Sequence, residues 1–260
     1  MTDVSRRWIH VEEWASELLG TALLLLCGLS AVALDFGRGS PLVAAVPSSS
    51  LRLLFTGILF AATGSLIAIS PLGRRSGGHV NPAVSLAFWL DGKMQHHDVG
   101  AYVGAQFAGA VLGAACWRLL WGHIADSVMG GATLPGPGVS PLEAVGIEAL
   151  MTALLVTTIF AFLSRRSTMR WTPLATWFVV TMLVWLGANF TGTSLNPARS
   201  AGPALVSGNL SMLWIYFVGP PLGAIAAALL ARALFGRIRP VTGKLYHDQR
   251  YPTIFKHPPV

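Results

Sequence analysis

The sequence contains nearly the same motif twice, and this duplication constrains the fold more than any other feature. Gly-Gly-His-Val-Asn-Pro-Ala-Val-Ser occupies residues 77–85, and Gly-Thr-Ser-Leu-Asn-Pro-Ala-Arg-Ser occupies residues 192–200. Each copy follows a long apolar run and precedes a short one. Asparagine is a favoured helix N-cap and proline a favoured first helical residue, so each copy predicts a helix start with free backbone N–H groups. Within a membrane, two such starts would direct two positive dipole ends to one place.

The composition is typical of a protein that crosses a membrane several times. Of the 260 residues, 53% are apolar and only 11% are charged, and the mean hydropathy is +0.59. Six apolar runs approach the roughly 20 residues that a helix needs to cross the hydrocarbon. They lie at about 14–35, 51–72, 98–121, 143–163, 172–190 and 211–235. We therefore expect six transmembrane helices.

The apolar runs at 81–90 and 196–206 are too short to cross a membrane alone. Irregular backbone at membrane depth is tolerated only when it is buried in protein or lines a wet cavity. We therefore interpret both runs as re-entrant half-helices that belong to a pore or binding site. The alternative is that each run is an amphipathic helix at the membrane interface. A single copy would not decide between the two interpretations, but two matched copies disfavour the interfacial helix.

The net charge of +7 follows membrane topology and does not indicate a nucleic-acid partner. If the spans are crossed in order, most cations fall on one side: Arg6, Arg7, Arg74, Arg75, Arg165, Arg166, Arg170, Arg237, Arg239, Lys244, Arg250 and Lys256. The opposite loops hold little more than Arg38 and Arg52. The positive-inside rule then predicts cytoplasmic termini in a multi-pass protein of the plasma (cell inner) membrane. For the basic tail at about 237–260, a plug, a lipid contact and a disordered tail all remain open.

Two inverted halves, at about 12–121 and 141–235, organise residues 1–260 into a single membrane channel domain. Each half has a span with one acid, Glu17 or Glu148, then a second span, a glycine-rich loop, a half-helix and a third span. Because three crossings is an odd number, the second half must run in the opposite direction. The half-helices then enter from opposite faces and meet near the midplane, and the loop at 122–140 is a connector with little helical pattern.

Together, the paired Asn-Pro-Ala motifs, the Ser-Gly-Gly-His before the first, the arginine after the second and one acid in each half resemble the aquaporin, or major intrinsic protein, family. The likeness covers about residues 12–235. It implies an all-α membrane fold of six transmembrane helices and two re-entrant half-helices, assembled as a homotetramer with one pore in each subunit. The pair Tyr216 and Phe217 also resembles the sequence of the water-channel branch of this family.

The motif residues have a mechanism that fits this resemblance; they are Asn81, Pro82, Ala83, Asn196, Pro197 and Ala198. Each asparagine would cap a half-helix and direct a side-chain N–H into the lumen. A passing water molecule would accept a hydrogen bond from each asparagine and turn its own hydrogens outward. This orientation interrupts the chain of hydrogen-bonded water along which protons could move. The half-helix dipoles and Arg199 would add a barrier to protons and cations.

The segments at 76–79 and 192–195 are expected to supply backbone carbonyls as acceptors along the pore. The residues that we assign to these carbonyl loops are Gly77, Gly78, His79, Gly192 and Ser194. Glu17 and Glu148 would hold the loop N–H groups in place. A proton-relay role in a coupled transporter is the alternative, and one acid per half in matching places favours the supporting role.

The resemblance also implies a narrow constriction made by four side chains. Arg199 is one of them, and counting back without gaps from each motif gives Thr193, Val184 and Ala61, with Phe60 one step from the last. Water-selective members carry an aromatic residue in the second span and a histidine in the fifth. Ala61 and Val184 would therefore leave a wider and less polar filter.

We expect a passive water channel that excludes protons and ions and leaves small uncharged solutes open as further passengers. The alternative is a facilitator for glycerol, urea or neutral metalloid acids. A more remote one is an ion-coupled secondary transporter, for which the spans offer almost no ionisable groups beyond the two glutamates. No catalytic set is found, so we expect no enzyme, cofactor or metal; His96 and His97 are adjacent, which is poor spacing for metal ligands.

Overall fold

A computed structural model describes residues 9–234 and 239–255, and within them the regular structure is helical. The α-helices, in chain order, are α1 Val11–Phe36, α2 Pro41–Ala45, α3 Ser49–Ile69, α4 Pro71–Ser76, α5 Pro82–Leu90, α6 His96–Trp121, α7 His123–Ser127, α8 Pro141–Leu163, α9 Thr172–Thr191, α10 Pro197–Ser207 and α11 Trp214–Leu234. Short 3₁₀ turns lie at Met129–Gly131 and Met169–Trp171. Arg6, Arg7, Arg237 and Lys256 from the sequence analysis lie outside the described residues.

Six of these helices are long and apolar enough to cross a membrane: α1, α3, α6, α8, α9 and α11. They correspond to the six predicted spans, and most of their ends differ by a few residues. The second span differs from its prediction in more than its length. Its helix, α3, ends at Ile69, and the predicted end at residue 72 falls in the separate helix α4. Pro71 begins α4, and a residue before proline is disfavoured in the helical region. Ser76, the first residue of the segment predicted to supply pore carbonyls, is the last residue of α4.

The half-helices α5 and α10 each pack against the third span of the other half, α5 against α11 and α10 against α6. Within each half the first span packs against the third, as α1 against α6 and as α8 against α11. The second spans, α3 and α9, pack against each other across the two halves. This exchange brings the two half-helices together inside one six-helix bundle.

Glycines allow the paired spans to approach closely. A methyl group at Gly109 or Gly113 on α6 would overlap a backbone carbonyl oxygen of α1, and one at Gly223 on α11 would overlap a carbonyl oxygen of α8. By contrast, Gly100 and Gly104 on α6 face open space in the single subunit. Gly109 and Gly113 on α6 therefore lie at a helix crossing, as Gly223 does on α11.

The bundle has two ends, which we call the terminal face and the distal face. At the terminal face, the start of α1 meets the end of α4 through an ion pair between Glu12 and Arg75. At the distal face lie the loop after α1 and the connector 122–140, joined where Arg38 N donates to Ser127 Oγ at 2.9 Å. The connector contains α7 and a 3₁₀ turn, more helix than its glycine and proline content predicted.

Candidate channel and constriction

Each half-helix is capped by the asparagine of its motif. Asn81 Oδ1 accepts from Ala83 N at 2.8 Å at the start of α5. Asn196 Oδ1 accepts from Ala198 N at 3.0 Å and Arg199 N at 3.2 Å at the start of α10. Proline occupies the first helical position in both, where its missing N–H leaves no intrahelical bond unmade. The motif thus forms the helix start that the sequence predicted.

The two caps also bind each other's loops. Asn81 Nδ2 donates to Leu195 O, and Asn196 Nδ2 donates to Val80 O, both at 2.8 Å. An amide has two N–H groups, so this contact uses one from each asparagine. Both side chains line the same cavity in the bundle. The arrangement brings two N-cap donors and two half-helix N-termini to one point.

The loops before the caps have unusual backbone conformations. Gly77 has φ 97° and Gly192 has φ 74°, values that residues other than glycine rarely adopt. Val80, Thr193 and Leu195 also have positive φ, which is costly for β-branched valine and threonine. This backbone turns carbonyls away from helical bonding. It needs support from elsewhere in the bundle, and two buried acids provide it.

Glu17 supports the first loop with both carboxylate oxygens. Its Oε1 accepts from Ser76 Oγ at 2.7 Å and from His79 N at 3.0 Å. Its Oε2 accepts from Val80 N and from Gln106 Nε2, both at 2.7 Å. The side chain is fully buried, so four donors replace the water that a carboxylate would otherwise need.

Glu148 supports the second loop in the same way. Its Oε1 accepts from Thr191 Oγ1 at 2.7 Å and Ser194 N at 2.8 Å, and its Oε2 accepts from Leu195 N at 2.8 Å. The two acids therefore bind corresponding atoms of the two halves. Gln106 has Pro220 at the corresponding place in α11, so the fourth donor belongs to the first half alone.

Two buried tyrosines complete this support, and the sequence analysis gave neither of them this role. Tyr102 OH donates to Ser76 O and Tyr216 OH donates to Thr191 O, both at 2.7 Å. The tyrosines follow their motifs at nearly equal distances along the chain, and that repetition was the signal available in the sequence. They fix the carbonyls that end α4 and α9, just where each loop begins.

Two adjoining cavities lie beside the half-helices. A central cavity of about 90 Å³ is lined by Asn81, Asn196, Gly78, His79 and Ala61, among others. A distal vestibule of about 340 Å³ opens beyond it and is lined by Thr133, Val184 and Gly192, among others. The residues that line both are Phe60, Val180, Ser194, Leu195 and Arg199. The cavities therefore adjoin beside Arg199, and we call this junction the passage.

Arg199 is buried at this passage and held by two contacts. Its Nη1 donates to Gly131 O at 3.0 Å, and its guanidinium carbon lies 5.3 Å from the centre of the Phe60 ring. Thr193 and Val184 line the distal vestibule with it. Thr193 Oγ1 is turned toward the α9 backbone, where it donates to Leu183 O at 3.2 Å.

Ala61 does not join this group. It lines the central cavity, and its neighbour Phe60 lies against Arg199. Phe60 and Ala61 are neighbours on the unbroken helix α3, and the gap-free count from Asn81 places them one residue apart. One residue of shift turns a helix position by about 100°, which is enough to exchange the two side chains.

His10, His97 and Asp98 form a separate cluster at the terminal face, with potential ligand atoms within 4.8 Å of one another. His10 Nδ1 donates to Asp98 Oδ1 at 2.7 Å, and Trp14 Nε1 donates to the same oxygen at 3.1 Å. These bonds join the start of α1 to the start of α6. The cluster lies apart from both cavities, and its carboxylate oxygen already has two donors.

Comparisons with known proteins show which family the sequence resembles. The sequence model described as "Major intrinsic protein" matches residues 4–231. Aquaporin-6 of Rattus norvegicus is 35% identical over 83% of this chain and 73% of its own length. Aquaporin NIP1-1 of Zea mays is 31% identical over 84% of this chain and 73% of its own length.

A solved structure supports the fold. The aquaglyceroporin from Plasmodium falciparum aligns with a TM-score of 0.62 at 22% identity, covering 88% of this chain and 98% of that one. The six apolar helices and these relatives agree on a protein that crosses the membrane several times. The chain therefore belongs to the major intrinsic protein family, whose members are channels and not enzymes.

Proposed function

We propose that this protein is a passive water channel which excludes protons and ions. The observation that carries the proposal is the meeting of Asn81 and Asn196 in a narrow cavity that continues past Arg199. Water in this cavity would accept an N–H from each asparagine and point its hydrogens away from the midpoint. Hydrogen-bonded chains through the midpoint would then be interrupted.

The ion barrier has two sources. Both half-helices direct their positive N-terminal ends at the cavity, and Arg199 adds a full charge at the passage to the vestibule. Cations would meet this field with little water to shield them, because the lining is mostly apolar. The acceptors that a cation could use in place of its hydration shell are few, namely the loop carbonyls and the hydroxyl groups of Ser65, Thr176 and Ser194.

A broader solute facilitator is the second candidate, and the passage itself favours it. Phe60 and Val184 add apolar surface to the vestibule that Arg199 also lines, and Thr193 directs its hydroxyl to the backbone. A molecule such as glycerol could place its carbons against the apolar side and a hydroxyl against the guanidinium. We therefore propose Phe60, Val184, Thr193 and Arg199 as the constriction, with Ala61 in the wall of the central cavity.

We propose that the 260 residues form one channel domain, that subunits assemble as a homotetramer in the plasma membrane, and that the terminal face is cytoplasmic. Arg74, Arg75 and Arg165 belong to this face, which supports the orientation by the positive-inside rule. Labelling single cysteines on either face of sealed cells with an impermeant reagent tests the orientation. Cross-linking in native membranes tests the tetramer.

The function is tested by stopped-flow light scattering on proteoliposomes. An impermeant osmolyte measures water permeability, and a glycerol gradient measures shrinkage followed by reswelling. We expect water permeability above that of empty liposomes, a linear dependence on the gradient and no dependence on a coupling ion. Saturable flux that needs an ion gradient would instead support a secondary transporter.

Variants of the constriction assign its selectivity. Phe60→Ala should raise glycerol flux more than water flux because it removes a ring from the passage. Val184→His should lower glycerol flux more than water flux because it narrows the passage and adds a donor. The matched comparison is Ala61→Val, which adds volume in the central cavity and should affect both fluxes alike. If Ala61→Val alone changes the ratio of the two fluxes, Ala61 belongs in the constriction.

A further inference from the structure

The chain returns to the terminal face after α11, and residues 239–255 contact the end of α8 and the first carbonyl loop there. Three backbone positions fix this segment to the bundle. Val241 N donates to Leu163 O at 2.9 Å at the end of α8, and Leu245 N donates to Gly77 O at 3.0 Å. His79 Nε2 donates to Gly243 O at 2.8 Å. Two of these bonds are made with the first carbonyl loop itself.

Apolar packing adds to these bonds. Leu245 is 6% exposed and Phe255 is 1% exposed. The Phe255 ring stacks on the His79 ring with centroids 5.6 Å apart. A methyl group at Gly77 or Gly243 would meet this ring, so the glycines allow the close approach.

A buried lysine and an ion pair hold the centre of the segment. Lys244 is fully buried, and its Nζ donates to Arg74 O at 2.6 Å and to Pro252 O at 3.0 Å. Arg74 also forms an ion pair with Asp248 at 2.9 Å. The segment has no helix or strand of its own. It is held instead by side-chain contacts of particular residues, Lys244 and Asp248.

The position of Leu245 has a direct consequence for permeation. Its side chain lines the central cavity together with Ala68, Gly78 and His79. Its N–H donates to the carbonyl of Gly77, one of the acceptors that the sequence assigned to the pore. An apolar side chain at a narrow passage removes the partners of water and closes the passage by dewetting.

We propose that residues 239–255 form a plug that closes the terminal-face entrance, with Leu245 as the closing side chain. The channel conducts when this plug undocks from Gly77 and His79. This inference rests on the proposed channel function. Because the plug contains no regular structure, its release breaks loop hydrogen bonds and side-chain packing and leaves the bundle intact.

The test compares water permeability of the full chain with that of two variants in proteoliposomes. Leu245→Gly removes the closing side chain and keeps the backbone N–H, and Phe255→Ala removes the stacking on His79. We expect both to conduct several-fold faster than the unsubstituted protein. The matched control is Gln249→Ala, an exposed position in the same segment, which should conduct like the unsubstituted protein.

Hydrogen exchange measures docking of the plug directly and does not require a measurement of water flux. The Leu245 amide should exchange slowly in the unsubstituted protein and quickly in Phe255→Ala, because its acceptor is a buried carbonyl. If the unsubstituted protein conducts as fast as both variants, the plug is refuted and the channel stands. If neither the variants nor Phe60→Ala exceed empty liposomes, the channel function is refuted and the plug with it.

Discussion

Asn81 and Asn196 bind each other's loops through a reciprocal pair of hydrogen bonds. Each donates its amide N–H to the carbonyl that precedes the other, at 2.8 Å in both directions. Each also uses its amide oxygen to cap its own half-helix. Each asparagine therefore caps its own half-helix, holds the opposite loop and leaves a second N–H at the cavity. Asparagine can do all three because its amide offers both an acceptor and two N–H groups.

Replacing Asn196 with aspartate tests this dual use. Asn196→Asp retains the cap, because the carboxylate still accepts from Ala198 N, but it places an acceptor against the carbonyl of Val80. We expect the free energy of unfolding to fall by about 1–3 kcal/mol, the cost of leaving a buried hydrogen-bonding group unpaired. Thermal unfolding in detergent measures the loss. We also expect lower water permeability, because one of the two central donors is absent.

Asn209→Asp is the matched control for this change. In the loop after α10, Asn209 uses its side-chain oxygen to accept from Ser211 N, which aspartate can also do. Stability and permeability should therefore be unchanged. Equal losses in Asn196→Asp and Asn209→Asp would contradict a special role for the reciprocal pair.

Glu17 and its loop give a second prediction. Glu17→Gln has one acceptor oxygen where the carboxylate has two, so its NH₂ group would face donors that include Val80 N. Hydrogen bonds to a charged group contribute about 1.5–3 kcal/mol each, and we expect the loss of at least one such bond. The unfolding midpoint should fall, and permeability should fall with it because the loop loses its support.

The control for Glu17→Gln is Glu12→Gln on the same helix. The Glu12 side chain is 73% exposed and makes a surface ion pair, a contact that contributes little. A proton-relay role for Glu17 predicts a different pattern, in which glutamine abolishes a proton-coupled flux and leaves the midpoint unchanged. Measuring midpoint and flux on the same preparation separates the two roles.

The sequence predicted most of the fold and the centre of the site because both depend on local signals. The six spans follow from hydropathy, and the caps follow from the residue types around Asn81 and Asn196. The sequence left Phe60 and Ala61 one residue apart as candidates, because both lie on the unbroken helix α3 and no local pattern reports which side chain lies against Arg199. Leu245 could not be placed, because the tail has no periodicity and its position depends on contacts with Gly77, far away in the sequence.

Gly113 gives a third prediction, about packing of the first half. Gly113→Ala would place a methyl group against the Ala22 carbonyl, so α1 and α6 would have to separate. Overpacking of this kind costs about 1–3 kcal/mol. Gly104→Ala on the same helix faces open space in the single subunit and is the matched control. A lower midpoint for Gly113→Ala alone is expected, and equal midpoints would show that the helices can adjust.

Lys244 makes docking of the plug depend on pH. Burial lowers the pKa of its ammonium group to about 8; Glu13 and Asp248 oppose this shift, and Arg75 adds to it. Undocking returns the lysine to water, where its pKa is about 10.4. Between these values the docked lysine is neutral while the undocked lysine still binds a proton. Raising the pH therefore favours docking, by up to about tenfold for each pH unit. His247, whose pKa is also lowered by burial, acts in the same direction at lower pH.

Water permeability of the unsubstituted protein should therefore fall as the pH is raised from about 7.5 to about 9.5, because the plug docks more tightly over this range. Lys244→Met has no proton to lose and should show no such fall. Gln249→Ala keeps the lysine and should show the same fall as the unsubstituted protein. An identical pH profile in Lys244→Met would mean that another group controls the change. A flat profile in all three proteins would mean that docking of the plug does not limit permeation.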